Sequence, residues 1–146
     1  GTTTFSGPIK AGTVREGASA NTGFTLMAQS AKIAFAANGT TTTIATLPAN
    51  SQIFQITVDV TTAFNAGTTN TLDLGDGTTD DKFADALALG SAARVLETSD
   101  VSQIPNLIDI GASDVNVVAT YNQTGSAANA GAATITVLYI QNNNLS

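Results

Sequence analysis

The chain has 146 residues, 42% of them apolar and only 11% charged, with a net charge of −6. That length supports one core of useful size and not two, and the acidic balance, with five scattered basic residues (Lys10, Arg15, Lys32, Lys82, Arg94), argues against nucleic acid, whose phosphates need clustered Lys and Arg. Without cysteine or histidine there is no disulfide framework, no thiolate site and no imidazole to act as a base near neutral pH.

Residues 1–22 hold several glycines, a proline and no sustained period, so they read as an extended N-terminal arm. Phe5, Pro8, Ile9 and Val14 would be exposed to water on a free tail. An arm laid across a partner or across its own sheet would hide them. Residues 23–146 read as a single domain of strands. In "GFTLMAQSAKIAFAA", Phe24, Leu26 and Ala28 alternate, and the pattern resumes on the opposite parity at Ile33 and Phe35, which predicts a bulge or break near Gln29 to Ala31. Asn38-Gly39 marks a turn, the threonine run after it favours a strand, and Pro48 to Asn50 end that strand.

"QIFQITVDVTTAF" gives the clearest strand signal, with Phe54, Ile56, Val58 and Val60 predicted on the buried face and Gln55, Thr57, Asp59 and Thr61 opposite. "NTLDL" is a shorter strand. In "DKFADALALGSAARVL", Phe83 and Leu87 fall four apart and Thr79 or Asp80 could serve as N-cap, so a short helical turn is predicted there, with Gly90 as its stop. "LIDI" reads as a brief edge strand. "VNVVATY" and "AATITVLYIQ" alternate around a Gly- and Ala-rich connection and predict a closing hairpin; Leu138 and Ile140 make the last strand apolar on both parities, so a cover over its second face is expected. Some seven or eight short strands with one helical turn predict an all-β fold, an antiparallel β-sandwich or jelly roll with an N-terminal arm. No apolar run approaches the roughly 18 residues of a membrane span, so no membrane partner is expected.

The strongest chemical motif is "LDLGDGTTDDKFADALAL", which groups Asp73, Asp76, Asp80, Asp81 and Asp85. An EF-hand needs acidic or amide ligands at alternate positions, glycine at the sixth and glutamate at the twelfth, and the motif fails in the register of Asp73 and in that of Asp76. A looser calcium site from Asp76, Asp80 and Asp81 stands beside the alternative of a polar turn. Asp80 and Asp81 would also suit a helix N-terminus. Glycoside cleavage by paired carboxylates is disfavoured, because sugar clefts use aromatic platforms and the chain has no tryptophan and only Tyr121 and Tyr139, both on predicted core parities. "GDGT" does not match the Asp-Thr-Gly of aspartic proteases, and neither a Ser-His-Asp triad nor a Walker lysine is present. The Asn-x-Ser/Thr triplets at Asn38, Asn122 and Asn144 occur at about the rate chance gives in such a composition. No enzyme and no cofactor is expected.

The order of "SGPIKAGTVREG", "NTGFTLMAQSAKI", "LPANSQIFQITVDVTTAF", "TLDLGDGTTDDKFADA" and "ATITVLYIQ" resembles small head proteins of tailed bacteriophages, of the decoration or cement type, over nearly the whole chain. The resemblance implies a compact jelly-roll-like domain, a homotrimer, bound to the major capsid protein on the outer surface of an icosahedral virion where capsomers meet. It carries no catalytic, metal or cofactor residue with it. In the arm, Phe5, Pro8, Ile9, Lys10 and Arg15 are the candidate contact with another subunit or a capsid. A different class stays open beside it: a carbohydrate- or receptor-binding β-sandwich of a phage tail, fibre or surface adhesin, with calcium in the loop of residues 74–82.

Overall fold

A strand with one apolar face is stable only when a second sheet covers that face, and the chain solves this by winding two four-stranded antiparallel sheets around one core. The computed structural model describes residues 1, 15–16, 19–20, 24–96 and 110–142. The described strands are β1 (Arg15–Glu16), β2 (Ser19–Ala20), β3 (Phe24–Ala34), β4 (Thr41–Leu47), β5 (Ser51–Thr62), β6 (Thr69–Gly75), β7 (Ala84–Ala88), β8 (Arg94–Leu96), β9 (Val115–Thr124) and β10 (Ala132–Asn142), with one 3-10 turn at Phe35–Ala37. One sheet has the order β3-β10-β5-β8 and the other β4-β9-β6-β7, while β1 and β2 form a separate short ladder. Strands β3 to β6 thus pair in turn with β10, β9, β8 and β7, as in one long hairpin rolled up on itself. This is the jelly roll expected from the sequence.

The inner faces supply Ile56, Val58, Ile135 and Val137 from one sheet and Leu47, Leu72, Leu74, Val117 and Tyr121 from the other, all essentially without solvent contact. Alanines fill the thinner parts, with Ala45, Ala119 and Ala133 buried between larger neighbours. Phe64 and Phe83 lie in the same core. Phe64 stacks at a tilt on Tyr121, ring centroids 4.6 Å apart. The Tyr121 hydroxyl, deep in this layer, shares its single proton between Asn70 Oδ1 at 2.8 Å and Gln123 Oε1 at 3.0 Å, so a polar tip is buried with partners. Gly131, at φ +147°, is required beneath the same ring, since a Cβ there would stand 2.5 Å from Phe64.

Four local expectations are corrected. First, β3 pairs with β10 from Phe24 to Ala34 in one unbroken register, so no bulge interrupts Gln29 to Ala31. Leu26 and Ala28 simply point outward, and Ile33 points in. Second, the break lies in β5: Leu138 and Tyr139 of β10 oppose Gln55 and Ile53, skipping Phe54. A bulge adds one residue and flips the parity behind it, so Ile53 is buried and Phe54 is not. Third, residues 84–88 are a strand and not a helical turn. Ala86 has φ +52°, which no α-helix accepts, and an extra residue in β7, between the Leu72–Leu87 and Leu74–Ala84 pairs, produces the four-residue apolar spacing that imitates a helix face. Fourth, β9 and β10 are not a hairpin. They lie in opposite sheets, joined by residues 125–131 crossing over the end of the sandwich.

At the rim where the two sheets meet, the Gln29 side chain of β3 takes the place of a neighbouring strand for β4: Thr46 N–H donates to Gln29 Oε1 at 3.0 Å, and Gln29 Nε2 donates to Thr46 O at 2.8 Å. The same Nε2 donates to the buried Tyr139 hydroxyl at 3.0 Å. An open backbone edge is thereby closed at Thr46 by a side chain.

The bulge in β5 makes opposite demands on two adjacent residues. Ile53→Ala is expected to lower unfolding free energy by about 2–4 kcal/mol, as for other buried aliphatic truncations, and Phe54→Ala by less than about 0.5 kcal/mol. Urea unfolding of the two variants measures both; equal losses would return Phe54 to the core.

Candidate functional site

The aspartate loop resolves into a hydrogen-bonded turn. Asp76 is its hub: Oδ1 accepts the N–H groups of Thr78 and Thr79, each at 2.9 Å, and Oδ2 accepts Lys82 Nζ at 2.8 Å. The Asp76 N–H donates to Thr79 O at 3.1 Å, closing the turn from the other side. Gly75 permits this close return of the chain, because a Cβ there would collide with the Thr79 carbonyl oxygen and stand 2.6 Å from the carbonyl of Asp80. The nearby Lys82 ammonium and then the Thr79 N–H hold the Asp76 carboxyl down at about 2, against a smaller opposing effect of burial.

The other aspartates do other work. Asp73 mends the β6–β7 irregularity, its Oδ1 accepting Ala86 N–H at 2.8 Å and its Oδ2 accepting Asn122 Nδ2 at 2.7 Å. Asp80, Asp81 and Asp85 are exposed. Among the described residues no group of three or more acidic side chains converges as metal ligands would. Of the two readings of the motif, the polar turn is the one whose partners the structure supplies, at Asp76 and Asp73.

Of the contact residues expected in the arm, Phe5, Pro8, Ile9 and Lys10 lie outside the described residues, and Arg15 stands in β1 opposite Ala20. What the sequence pattern pointed to less directly is the outer face of the β3-β10-β5-β8 sheet. Cross-strand rows there run Leu26–Ile140–Gln52, then Ala28–Leu138–Gln55 with Phe54 in the bulge, then Ser30–Thr136–Thr57, then Lys32–Thr134–Asp59. The first two rows are apolar or amide, and Leu26 and Phe54 keep 57% and 59% of their surface exposed. In the third row, the Ser30 and Thr136 hydroxyls share a 2.7 Å hydrogen bond. Charge enters in the fourth row, where Arg94 forks onto Asp59 at 2.7 and 3.1 Å; this lowers the Asp59 pKa and raises that of Arg94. The apolar second parity of β10 was the signal for this face. For β3 the same signal was misread as a bulge.

No family model matches the chain, and no curated protein matches it. Solved structures do. A chain of the cyanophage Pam1 capsid asymmetric unit is similar over 87% of this chain and 93% of its own, with a TM-score of 0.60 and 17% identity. A chain of the acid-stable capsid of Helicobacter pylori bacteriophage KHP30 is similar over 80% of this chain and 87% of its own, with a TM-score of 0.55 and 19% identity. For the capsid of Ralstonia phage GP4 the values are 82%, 84%, 0.57 and 19%. The fold is one that phage capsids contain. At these identities the likeness is one of backbone architecture, and it extends over most of each chain.

The Asp76 hub gives a pH signature with a defined sign. Its pKa is lower in the folded protein than in the unfolded chain, so its contribution is complete above about pH 4 to 5 and disappears as pH falls through about 2. Asp76→Asn is expected to cost about 1–2 kcal/mol at pH 7, allowing for solvent screening. The gap to wild type should narrow below about pH 4, as followed by urea unfolding across a pH series. A gap independent of pH would remove the charge from this account.

Proposed function

We propose that the protein is a structural component of a bacteriophage capsid, of the decoration or cement type, acting as a homotrimer on the outer surface of an icosahedral head with the major capsid protein as its partner. The observation that carries this reading is the jelly roll that accounts for most of the chain and for 84–93% of the matched capsid chains. The chemistry agrees with a role in burial and not in turnover: the surface is poor in charge, and the most acidic stretch is a turn with its own internal partners. Catalysis would require groups that bind a transition state better than a ground state. Here the work is surface burial against neighbours.

In this role the protein stabilises the shell by mass action. It binds the assembled shell and not dispersed subunits, so its binding free energy adds to the stability of the assembly, by about 3 kcal/mol per site when free protein stands at 100 times Kd. The arm residues Phe5, Pro8, Ile9, Lys10 and Arg15 are assigned here to contact with the shell or a neighbouring subunit. They are apolar and basic, on a chain that is otherwise acidic.

Heads assembled without this protein provide the test. Added protein should co-sediment with them to a fixed stoichiometry and raise the temperature at which they disrupt. Absence of co-sedimentation at micromolar protein, with glycan binding or a calcium-dependent rise in melting temperature instead, would transfer the protein to the adhesin class. Within the capsid reading, deletion of residues 1–20 is expected to abolish co-sedimentation while leaving the sandwich folded by circular dichroism; undiminished binding would take the arm out of the contact.

A further inference from the structure

We propose that Asn38 is a site of spontaneous modification, a deamidation to isoaspartate that the fold withholds while the turn of residues 37–40 lies on β9 and permits when that turn lifts away. The inference is independent of the capsid reading.

The chemistry comes from the sequence. Asn38 is the one asparagine of the chain followed by glycine, and a neighbour without a side chain leaves its backbone nitrogen open to the asparagine's Cγ. The Gly39 nitrogen gives up its proton to solvent and attacks Asn38 Cγ; the bond from Cγ to the side-chain nitrogen breaks, and that nitrogen takes a proton from solvent and leaves as ammonia. Water then adds to the cyclic succinimide. Opening at the backbone carbonyl gives isoaspartate, and opening at the former side-chain carbonyl gives aspartate. Asp76-Gly77 is the matching acid pair, but its carboxylate is ionised and accepts three donors, which makes its carbon a poor target.

The structure keeps both reacting groups of Asn38-Gly39 from this course. Thr40 N–H donates to Ala37 O at 2.9 Å, and with Asn38 at φ −51°, ψ 127° and Gly39 at φ +69° the four residues form a type II turn. At that ψ the Gly39 nitrogen is turned away from the Asn38 Cβ, so the ring cannot close until the peptide between them rotates. Rotation is opposed twice. Gly39 N–H donates to Tyr121 O at 2.8 Å, and Asn38 Oδ1 accepts Gln123 N–H at 3.0 Å. The nucleophile and the carbonyl it would attack are thus both fastened to β9, although Asn38 and Gly39 are exposed and water is at hand.

The modification runs one way. Isoaspartate carries the main chain through an extra methylene and adds a carboxylate, so a modified turn cannot make both bonds to β9 again. Each event therefore records an opening of this end of the sandwich.

The test is the rate of isoaspartate formation in the full chain in mildly alkaline buffer, read by peptide mapping with mass spectrometry, together with hydrogen exchange at the Gly39 amide. In the urea-unfolded chain Asn38 should convert before any other asparagine. In the folded protein it should convert about 10-fold more slowly or less, as expected from breaking several hydrogen bonds before reaction, and the protection of Gly39 N–H against exchange should match that slowing. Tyr121→Phe, which removes the hydroxyl's bonds to Asn70 and Gln123 beneath the turn, is expected to speed the folded-state reaction about 3-fold or more. Ile53→Ala, at the opposite end of the sandwich, should leave it unchanged while lowering global stability. Equal rates in folded and unfolded chains overturn the gate. An acceleration in Ile53→Ala as large as in Tyr121→Phe makes global unfolding the route and overturns the turn's part in it, and earlier conversion of another asparagine in the unfolded chain overturns the site.

Discussion

The structure depends on one constraint: each sheet has an apolar inner face that only the other sheet can cover, and the strands that complete it come from opposite halves of the chain. β3 cannot be placed without β10, nor β4 without β9, nor β6 without β9 and β7. Almost all of the stabilising burial is therefore non-local, and the chain must close its longest loops before the core rewards it. Thin residues suit this plan. Alanines on the inner faces let the two layers approach, while Tyr121, Phe64 and Phe83 are the largest of the fully buried side chains.

Strand parity was legible in the sequence wherever the ladder is regular. β9 alternates from Val115 to Tyr121 and β10 from Ala133 to Tyr139, and the inward residues named from that alternation are buried, apart from the half-buried Val115, with Val118 buried on the other parity as well. The turn at Asn38-Gly39 and the stop at Pro48 to Asn50 were equally plain, since both depend on local backbone preferences; Gly39 and Asn50 take positive φ. What escaped were features that local pattern does not encode. The outward Phe54 depends on which residue of β5 meets Leu138 on a strand some eighty positions away. β7 looked helical because the extra residue opposite Asp73 shifts the spacing of Phe83 and Leu87. β9 and β10 looked like a hairpin because nothing in their connection says which sheet either will join.

The acidic stretch shows the same limit from the side of chemistry. Composition alone proposes a cation, but the carboxylate oxygens of Asp73 and Asp76 have local claimants, the N–H groups of Thr78, Thr79 and Ala86, the Asn122 amide and the Lys82 ammonium, while Asp80, Asp81 and Asp85 face solvent. Carboxylates so engaged are parts of the backbone's accounting. A reader of the sequence could have anticipated this from Asp-Gly-Thr-Thr, in which an aspartate two and three residues ahead of free N–H groups makes its own turn. The outer apolar rows were half-visible in a different way. Leu138 and Ile140 marked a second apolar face of β10, and only the assembled register shows Leu26 and Ala28 continuing it on β3.

The Gln29 fork on Thr46 has a meaning beyond local satisfaction. Rows of unclaimed amides along a sandwich's rim invite copies of a chain to string together without end. By plugging one such rim from inside the molecule, the glutamine bars lateral fibre growth at that point.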